Sequence, residues 1–451
     1  MKVIIVGCGR VGQNLAEKLN EDGNEVTVID MSAPKVHEIT GRLDVMGVVG
    51  NGATPGTLRD AGIGNADLFI AVTNSDELNL LCCMIAKKEG GCHTIARVKN
   101  PEYSTEAAYL KDELGLAMVI NPEYEAAEEI ARILRFPAAI KIEPFAKGKV
   151  ELIKFKLPVD SPIIGMSIKE VMMKYHFDVL VSTIERGEEA YIANGDFVFA
   201  QKDIVSIAAA PKNAHVFFDV IKCKGHSIKN VLVVGGGVIT HYLCEILEKS
   251  GLALKIIEKD NKLCDELAGL FPKFNIIHGS PADKELLMEE GIARVGAFVA
   301  LSNFDEENIL LSLFAKEVTD SKMITKINRT DYDSVISRLE LDTTVCPINI
   351  TSDQILRYAR STRSTSGSNI ETLYNIIPGQ VEASEFIIKE NSPIIGTSLS
   401  QLKFKKDVLV ASIYRDKQVI IPRGNDVIQA GDAVVIISKE LGLTDIAGVL
   451  R

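Results

Sequence analysis

The string KVIIVGCGRVGQNLAEKL, beginning at Lys2, returns as NVLVVGGGVITHYLCEIL, beginning at Asn230, 228 residues later. At the same offset Asp30 in VTVID answers to Glu258 in LKIIEKD. Thr73 in TNSDELNLL answers to Ser302 in SNFDEENIL at an offset of 229, and Asp160 in DSPIIGMSI to Asn391 in NSPIIGTSL at 231. The order of the matches is preserved, so chance similarity is implausible, and a repeat spanning half the chain constrains the fold before any local pattern does. The 451-residue chain is a tandem duplication with its seam expected between Cys223 and Lys229. Length alone, at about 100–200 residues per domain, allows two to four domains.

Residues 1–137 alternate short β-branched strands with amphipathic helices. Strands are expected at Val3–Val6, Glu25–Asp30, Leu68–Val72 and Thr94–Val98, with a weaker one at Met118–Ile120. Gln13, Leu15, Ala16 and Leu19 space the first helix. Such alternation predicts right-handed βαβ units and a parallel sheet covered on both faces. Asn121-Pro122-Glu123 opens a further helix, with Asn as N-cap and Pro at the first helical position. Its apolar face holds Ala127, Ile130, Ala131 and Leu134, and it ends before Pro137.

From Lys149 the pattern changes to period two. ELIKFKL reads as a half-buried strand, SPIIGMSIKEVMMK as a turn and short helix, and DVLVSTIER, EAYIA and DIVSIAA as further strands. A module of about 60–70 residues is too small to stabilise its own core comfortably, so it is expected to pack on its neighbour or on another copy. The second half repeats it over roughly 381–438, followed by a helix near Glu440–Leu450. The expected fold is α/β: a Rossmann-like parallel-sheet domain followed by a small α+β domain, twice over. The expected boundaries are 1–137, 138–222, 223–362 and 363–451.

Gly7-Cys8-Gly9-Arg10-Val11-Gly12 follows a four-residue apolar strand and opens a helix. In a dinucleotide fingerprint the first glycine makes the tight turn, the second lets a pyrophosphate approach the backbone, and the third permits close helix–strand packing. The helix N-terminus adds free N–H groups and about half a positive charge. Asp30 ends the second strand, where a carboxylate meets ribose hydroxyls and disfavours a 2′-phosphate. NAD(H), ATP, ADP and AMP all remain open. Arg10 is placed to hydrogen-bond a terminal phosphate, including one held by a neighbouring subunit; the alternative is a solvated arginine on the first helical turn. Arg97, at a strand end, carries the same two readings. Thr73 and Asn74 are expected to line the pocket, and Asn51 to touch adenine or ribose. In the second half the candidates are Gly235, Gly236, Gly237, Val238, Ile239, Glu258, Ser280 and Ser302. There Thr240 replaces the third glycine, which is expected to push the helix from the strand, and no arginine stands at position 238.

Composition narrows the function classes. With 46% hydrophobic residues the chain is not disordered, and no stretch reaches the about 18 apolar residues of a membrane-spanning helix. Glycines interrupt MKVIIVGCGR where a signal peptide's apolar core would continue, so export is not expected. Eight cysteines without even spacing suggest reduced thiols of the cytosol. A net charge of -11 argues against nucleic acid as a partner. A dehydrogenase would need a general acid or base in a substrate domain, yet the seven histidines are scattered and no HExxH, GxSxG or Cys-x-x-Cys motif appears. Cys82 and Cys83 read as buried thiols, and Cys92-His93 lack partners for a metal. Binding without catalysis is the better reading; an NAD-dependent oxidoreductase is the rival.

VIIVGCGRVGQNLAEKL, AVTNSDELNLL, ARVKNPEY and SPIIGMSI together resemble the TrkA family, the nucleotide-binding regulatory subunits of microbial Trk potassium uptake systems. The resemblance covers essentially the whole chain and implies two RCK-N domains, each followed by an RCK-C domain. SPIIGTSL with IPRGNDVIQAGDAVVII is the closer match to the RCK-C pattern. Asn51 stands where the family often has Asp, and Thr240 where Gly is usual. The family implies no catalysis, NAD(H) or ATP/ADP in the same pocket, and a homo-oligomeric, tetrameric ring. It also implies an integral membrane potassium-translocating subunit as partner, with this chain on the cytoplasmic face of the membrane. By motif, Gly7 to Gly12 would hold phosphates, Asp30 ribose, and Arg10 an inter-subunit phosphate. The helix opening at Asn121 resembles the crossover segment that pairs RCK domains.

Overall fold

The computed structural model describes residues 1–146, 148–223, 228–329, 336–339, 341–363, 368–377, 379–443 and 445–451. Most of the expected seam, with His226, lies outside the described residues. The first sheet is made of β1 (Lys2–Val6), β2 (Glu25–Asp30), β3 (Met46–Val49), β4 (Leu68–Ala71), β5 (His93–Arg97) and β6 (Met118–Ile120). All pairs are parallel and the order is β3-β2-β1-β4-β5-β6, the doubly wound order. β1 sits at the centre with Val3 to Val6 all buried, as a strand covered on both faces requires. Helix Arg10–Glu21 buries Gly12, Leu15, Ala16 and Leu19, one face at a 3–4 residue spacing.

The second sheet is antiparallel: β7 (Ala139–Phe145), β8 (Val150–Lys156), β9 (Leu180–Arg186), β10 (Glu189–Ile192) and β11 (Ile204–Ala209), in the order β10-β9-β11-β8-β7. Its helices are Ile168–Tyr175, opened by a Ser167/Glu170 capping box, and Pro211–Val220, whose Phe217 and Phe218 pack on Phe155. The third sheet repeats the first, with β12 (Asn230–Val234), β13 (Ala253–Glu258), β14 (Asn275–His278), β15 (Ala297–Ala300), β16 (Lys322–Lys326) and β17 (Thr343–Val345) in the order β14-β13-β12-β15-β16-β17. The fourth repeats the second, with β18 (Ser368–Ile377), β19 (Val381–Ile388), β20 (Val408–Arg415), β21 (Gln418–Ile420) and β22 (Ala433–Ser438) in the order β18-β19-β22-β20-β21.

Three local expectations differ from the structure. β7 and β18 lie outside the expected strands; β7 carries Pro144, which an edge strand tolerates because one side of it needs no ladder donor. The helix expected near Glu440–Leu450 is a single 3₁₀ turn at Ile446–Val449, preceded by Gly442 at φ +72. The short helix of the first small module has no counterpart among the described residues of the second. There the chain turns after Ser398 and bridges Phe404 to Leu450, with Lys405 N–H donating to Val449 O at 2.9 Å.

The chain divides into two compact units that interleave along the sequence, 1–131 with 228–356 and 132–227 with 357–451. Like therefore packs with like. In the first unit each parallel-sheet domain meets the N-terminal part of the other's closing helix, Pro122–Arg135 or Pro347–Arg363. Tyr242 is 2% exposed, accepts a hydrogen bond from Asn121 Nδ2 at 2.8 Å, donates to Lys99 O at 3.0 Å and meets the Tyr124 ring edge-on at 5.3 Å. Reciprocally, Lys18 Nζ reaches Asp353 Oδ1 at 2.7 Å, and Gln354 Nε2 reaches Glu125 Oε1 at 3.2 Å. This is the reciprocal pattern of a two-fold interface, built inside one chain.

In the second unit the two small sheets share a core. Phe145, Val150 and Leu152 of one pack with Ile376, Val381, Ile437 and neighbours of the other, Phe145 meets Tyr374 edge-on at 5.1 Å, and Ala146 N–H donates to Glu385 Oε1 at 3.0 Å. The expectation that a small module packs on another copy is met within the chain. Each module also holds one buried carboxylate in the same way. Asp203 takes Arg186 Nε and Nη2, both at 2.8 Å, plus Ala200 N–H at 2.8 Å; Asp432 takes Arg415 Nε and Nη2, both at 2.7 Å, plus Gln429 N–H at 2.8 Å. Asp203→Ala removes these bonds but frees an arginine that is half in water, so the expected loss is about 2 kcal/mol. Hydrogen exchange at the amides of β9 and β11 measures it.

Candidate functional site

Gly7 ends the turn after β1 at φ +104, and its N–H donates to Ile29 O at 2.8 Å. A Cβ on Gly7 would sit 3.0 Å from Thr73 N and Val72 O, so the loop is pressed against the end of β4. A Cβ on Gly12 would stand 1.8 Å from Gly7 O, which makes glycine a packing requirement there. Gly9 is different. It is the N-cap of helix Arg10–Glu21, in an extended conformation at φ -76, and a Cβ on it would meet nothing within 4 Å. The side of the loop that a phosphate would approach is open.

Asp30 reaches across from the end of β2. Its Oδ2 accepts Cys8 N–H at 2.7 Å and its Oδ1 accepts Ser32 N–H at 2.8 Å. A carboxylate has about four lone-pair sites, so two remain for a ligand's hydroxyls. The Cys8 side chain is buried beside it; burial first, and the Asp30 charge second, push the thiol up to about 12. Gly50 N–H donates to Asp30 O at 3.0 Å, which brings Asn51 to the same strand end. The Asn51 side chain is exposed and closes its own turn by accepting Ala53 N–H at 2.9 Å. Arg10 and Asn74 are exposed, Val11 is half-buried, and Arg10 makes no ion pair among the described residues. Arg97 is engaged: its Nη2 lies 2.7 Å from Glu123 Oε1, with both side chains largely buried.

Sequence reasoning passed over two buried residues that join these parts. Asn79 Oδ1 accepts Thr73 N–H at 2.8 Å and its Nδ2 donates to Arg97 O at 2.9 Å, lacing β4 to β5. Asp76 Oδ2 accepts the N–H groups of Lys99 and Asn100 at 3.0 and 2.8 Å. Asn308 repeats the lacing, with Ser302 N–H at 2.8 Å and Lys326 O at 3.0 Å, and Asp305 accepts Asn328 and Arg329 N–H at 3.0 and 2.9 Å. The signal lay in TNSDELN and SNFDEEN, where the aspartate and the second asparagine survive in both copies.

The second loop has the same backbone. Gly235 stands at φ +100 with its N–H on Ile257 O at 2.9 Å, and Gly237 caps its helix at φ -71 and ψ -173, against -76 and -174 for Gly9. Glu258 replaces Asp30 and accepts Gly236 N–H at 2.6 Å and Asp260 N–H at 2.8 Å. A Cβ on Gly236 would come 3.0 Å from Glu258 Cγ, so the longer acid is accommodated where Cys8 becomes glycine. Thr240 is buried and donates its Oγ1 proton to Gly235 O, so the loop keeps its dihedrals with threonine in place of the third glycine. Ile239 is buried, Val238 is exposed where Arg10 stands in the first copy, and Ser280 closes its turn through Ala282 N–H at 3.3 Å, as Asn51 does. Lys326, the counterpart of Arg97, is buried, and that burial holds its amine below the usual lysine range. Among the described residues no group of three or more His, Cys, Asp or Glu side chains is placed to hold a metal ion.

Two parallel-sheet domains, each with a glycine loop and an acid on the next strand, alternating with two small antiparallel domains, define a duplicated RCK-type protein. The TrkA-N domain matches residues 3–122 and 231–347, and the TrkA-C domain matches residues 152–222 and 383–446. The chain belongs to the TrkA family. It is 33% identical to Trk system potassium uptake protein TrkA homolog 1 of Methanosarcina mazei over 99% of both chains. It is 31% identical to Trk system potassium uptake protein TrkA of Halomonas elongata over 97% of this chain and 95% of that one. Its fold is similar to that of the GsuK channel bound to NAD, with a TM-score of 0.65 at 14% identity over 98% of this chain and 77% of that one.

The glycines make opposite predictions. Gly12→Ala is expected to cost about 3 kcal/mol, because the helix must move off Gly7 O. Gly9→Ala is expected to stay within about 1 kcal/mol of the parent. Calorimetric melting of the two variants against the parent tests the pair.

Proposed function

We propose that the chain is a regulatory subunit of a Trk-type potassium transporter, controlled by NAD(H) or adenine nucleotides bound at its glycine loops. The observation that carries this is the first loop. Gly9 leaves the backbone approachable, the first-turn N–H groups of the following helix have no partner within it, and Asp30 is held by two backbone N–H groups with lone pairs to spare. Gly7 to Gly12 would hold the phosphates, Asp30 the ribose hydroxyls, and Thr73, Asn74 and Asn51 the remaining rim; Arg10 is the cation for a terminal phosphate. Arg97 serves the site through Glu123 and its own carbonyl. Gly235, Gly236, Gly237, Val238, Ile239, Glu258, Ser280 and Ser302 form the equivalent second site.

Support for the partner comes from the relatives, which are named as potassium uptake proteins of the Trk system. GsuK structures carry NAD and, in another case, ADP. No helix among the described residues is long and apolar enough to cross a membrane, so a conducting path would be supplied by an integral membrane subunit. On this reading the chain forms a ring, tetrameric in the family pattern, on the cytoplasmic face, performs no catalysis, and divides at residues 137/138, 222/223 and 362/363.

Control of this kind follows from differential binding. A nucleotide shifts a gate only by preferring one ring conformation, and moving it from about 1:99 to about 99:1 takes about 5.5 kcal/mol. Four chains with two sites each, acting in concert, need about 0.7 kcal/mol per site. One terminal phosphate meeting Arg10 suffices.

Asp30→Ala is expected to weaken NADH binding at the first site by about tenfold or more and to erode preference for NAD over NADP, read by calorimetric titration. Arg10→Ala is expected to abolish the difference between ATP and ADP in their effects on potassium transport while leaving NADH affinity within about twofold. An undiminished ATP/ADP difference removes Arg10 from the phosphate site. Turnover of NADH with a panel of oxidants would favour the oxidoreductase instead.

A further inference from the structure

The mouths of the two loops differ. In the sheet order β12 lies between β13 and β15, so a contact joining the ends of β13 and β15 must cross the end of β12, where Gly235 to Gly237 sit. Such a contact exists. Lys259 directly follows Glu258 at the end of β13, Phe304 follows β15, and the Lys259 ammonium lies 5.7 Å from the centre of the Phe304 ring. The backbone on both sides is pinned: His278 Nε2 lies 3.1 Å from Lys259 O, and Phe304 N–H donates to Ser302 Oγ at 3.2 Å. Yet Phe304 is 59% exposed. It is a large apolar ring kept in water at the ligand edge of a parallel sheet, touched by a cation whose contact is weak at an exposed site.

The first copy has no such pair. Met31 stands at the position of Lys259, and Ser75 at that of Phe304. The Ser75 hydroxyl is spent on capping helix Asp76–Gly90 through Leu78 N–H and on Glu77. The second copy in turn lacks the cation at the loop itself, since Val238 replaces Arg10. One site offers charge at the phosphates and the other offers an aromatic face at the rim.

We propose that Lys259 and Phe304 are the two walls of a base slot over the second glycine loop. An adenine ring enters between the Phe304 face and the methylene stem of Lys259, displacing the weak contact between them. The second site thus recognises an adenine nucleotide by stacking, where the first discriminates by terminal phosphate. This rests on the nucleotide reading of the loops. Aromatic stacking tolerates different nucleotides because every base has a π face, so ADP and NADH share the slot.

The chain has no tryptophan, so F304W gives it a single indole at the slot. The experiment uses the full-length chain carrying Asp30→Ala and Arg10→Ala together, which removes both the ribose acid and the phosphate cation of the first site, and ADP as the probe, titrated over concentrations at which that site stays empty. Calorimetry is expected to find about one ADP per chain, weakened about tenfold by F304A and retained by F304W, whose fluorescence ADP quenches. Because Phe304 is exposed, F304A leaves melting unchanged, so a loss of binding reports the slot. Residual binding indifferent to F304A, or F304W fluorescence unmoved at saturating ADP, overturns the proposal. Absence of ADP from the doubly substituted chain while the parent binds it also overturns it, leaving the first-site reading intact. A parent that binds neither ADP nor NADH removes the nucleotide reading itself, and the slot with it.

Discussion

A five-stranded antiparallel sheet covered on one face by its own helices or loops still has an apolar second face, and about 70 residues cannot supply a further layer to bury it. In this protein that face is covered by the equivalent sheet of the other half. Leu152 and Ala208 meet Ala383, Val435 and Ile437 in a single shared core. The requirement explains why the chain must interleave: each small module follows its parallel-sheet domain in sequence, yet its partner lies one full repeat away. The parallel-sheet domains pair by the same logic through Tyr242 and Asn121 on one side and Lys18 and Asp353 on the other. Buried carboxylates at the start of equivalent strands, Glu151 and Glu382, are each met by an arginine near the end of a closing helix, Arg135 and Arg360.

Duplication then allowed the two loops to diverge around the same turn and helix-cap dihedrals. Lengthening the acid from Asp30 to Glu258 goes with loss of a side chain at the neighbouring position, Cys8 to Gly236, because the extra methylene needs that space. Thr240 fills the tight helix–strand contact where Gly12 stands and donates a hydrogen bond to the carbonyl it approaches. Threonine needs space for a Cβ that the first loop does not leave at Gly12, and its hydroxyl donates to the Gly235 carbonyl it faces. Of the chemical differences that remain, Arg10 against Val238 is exposed in both copies, where packing imposes little and ligand chemistry is free to vary.

Much of the fold was legible because its signals are local. The βαβ alternation, the glycine loop, the acid at the strand end and the repeat itself are written in consecutive residues. What failed was equally specific. Pro144 disguised β7, since a proline argues against a strand unless one already knows that the strand is an edge. Glu440–Leu450 has helical apolar spacing, but Gly442 at φ +72 and the bridge from Phe404 to Leu450 hold it in another conformation. Asn79 and Asp76 looked like ordinary polar residues of a helix start, and only the distances to Thr73, Arg97, Lys99 and Asn100 show that they lace the strand ends under the site.

The sequence by itself determined the duplication, the two domain types and the chemistry offered at each loop: the repeat is read by matching one half against the other, and glycine spacing and acid position act within about 30 residues of chain. Only the tertiary structure decided which domain pairs with which, that Arg97 is bound by Glu123 while Arg10 makes no ion pair among the described residues, and that Lys259 meets Phe304 across the second loop. Those are contacts between residues dozens to hundreds of positions apart. A linear pattern records which side chains are present; which of them spend their charge, hydrogen bonds or apolar surface on each other is settled when the sheets bring them together.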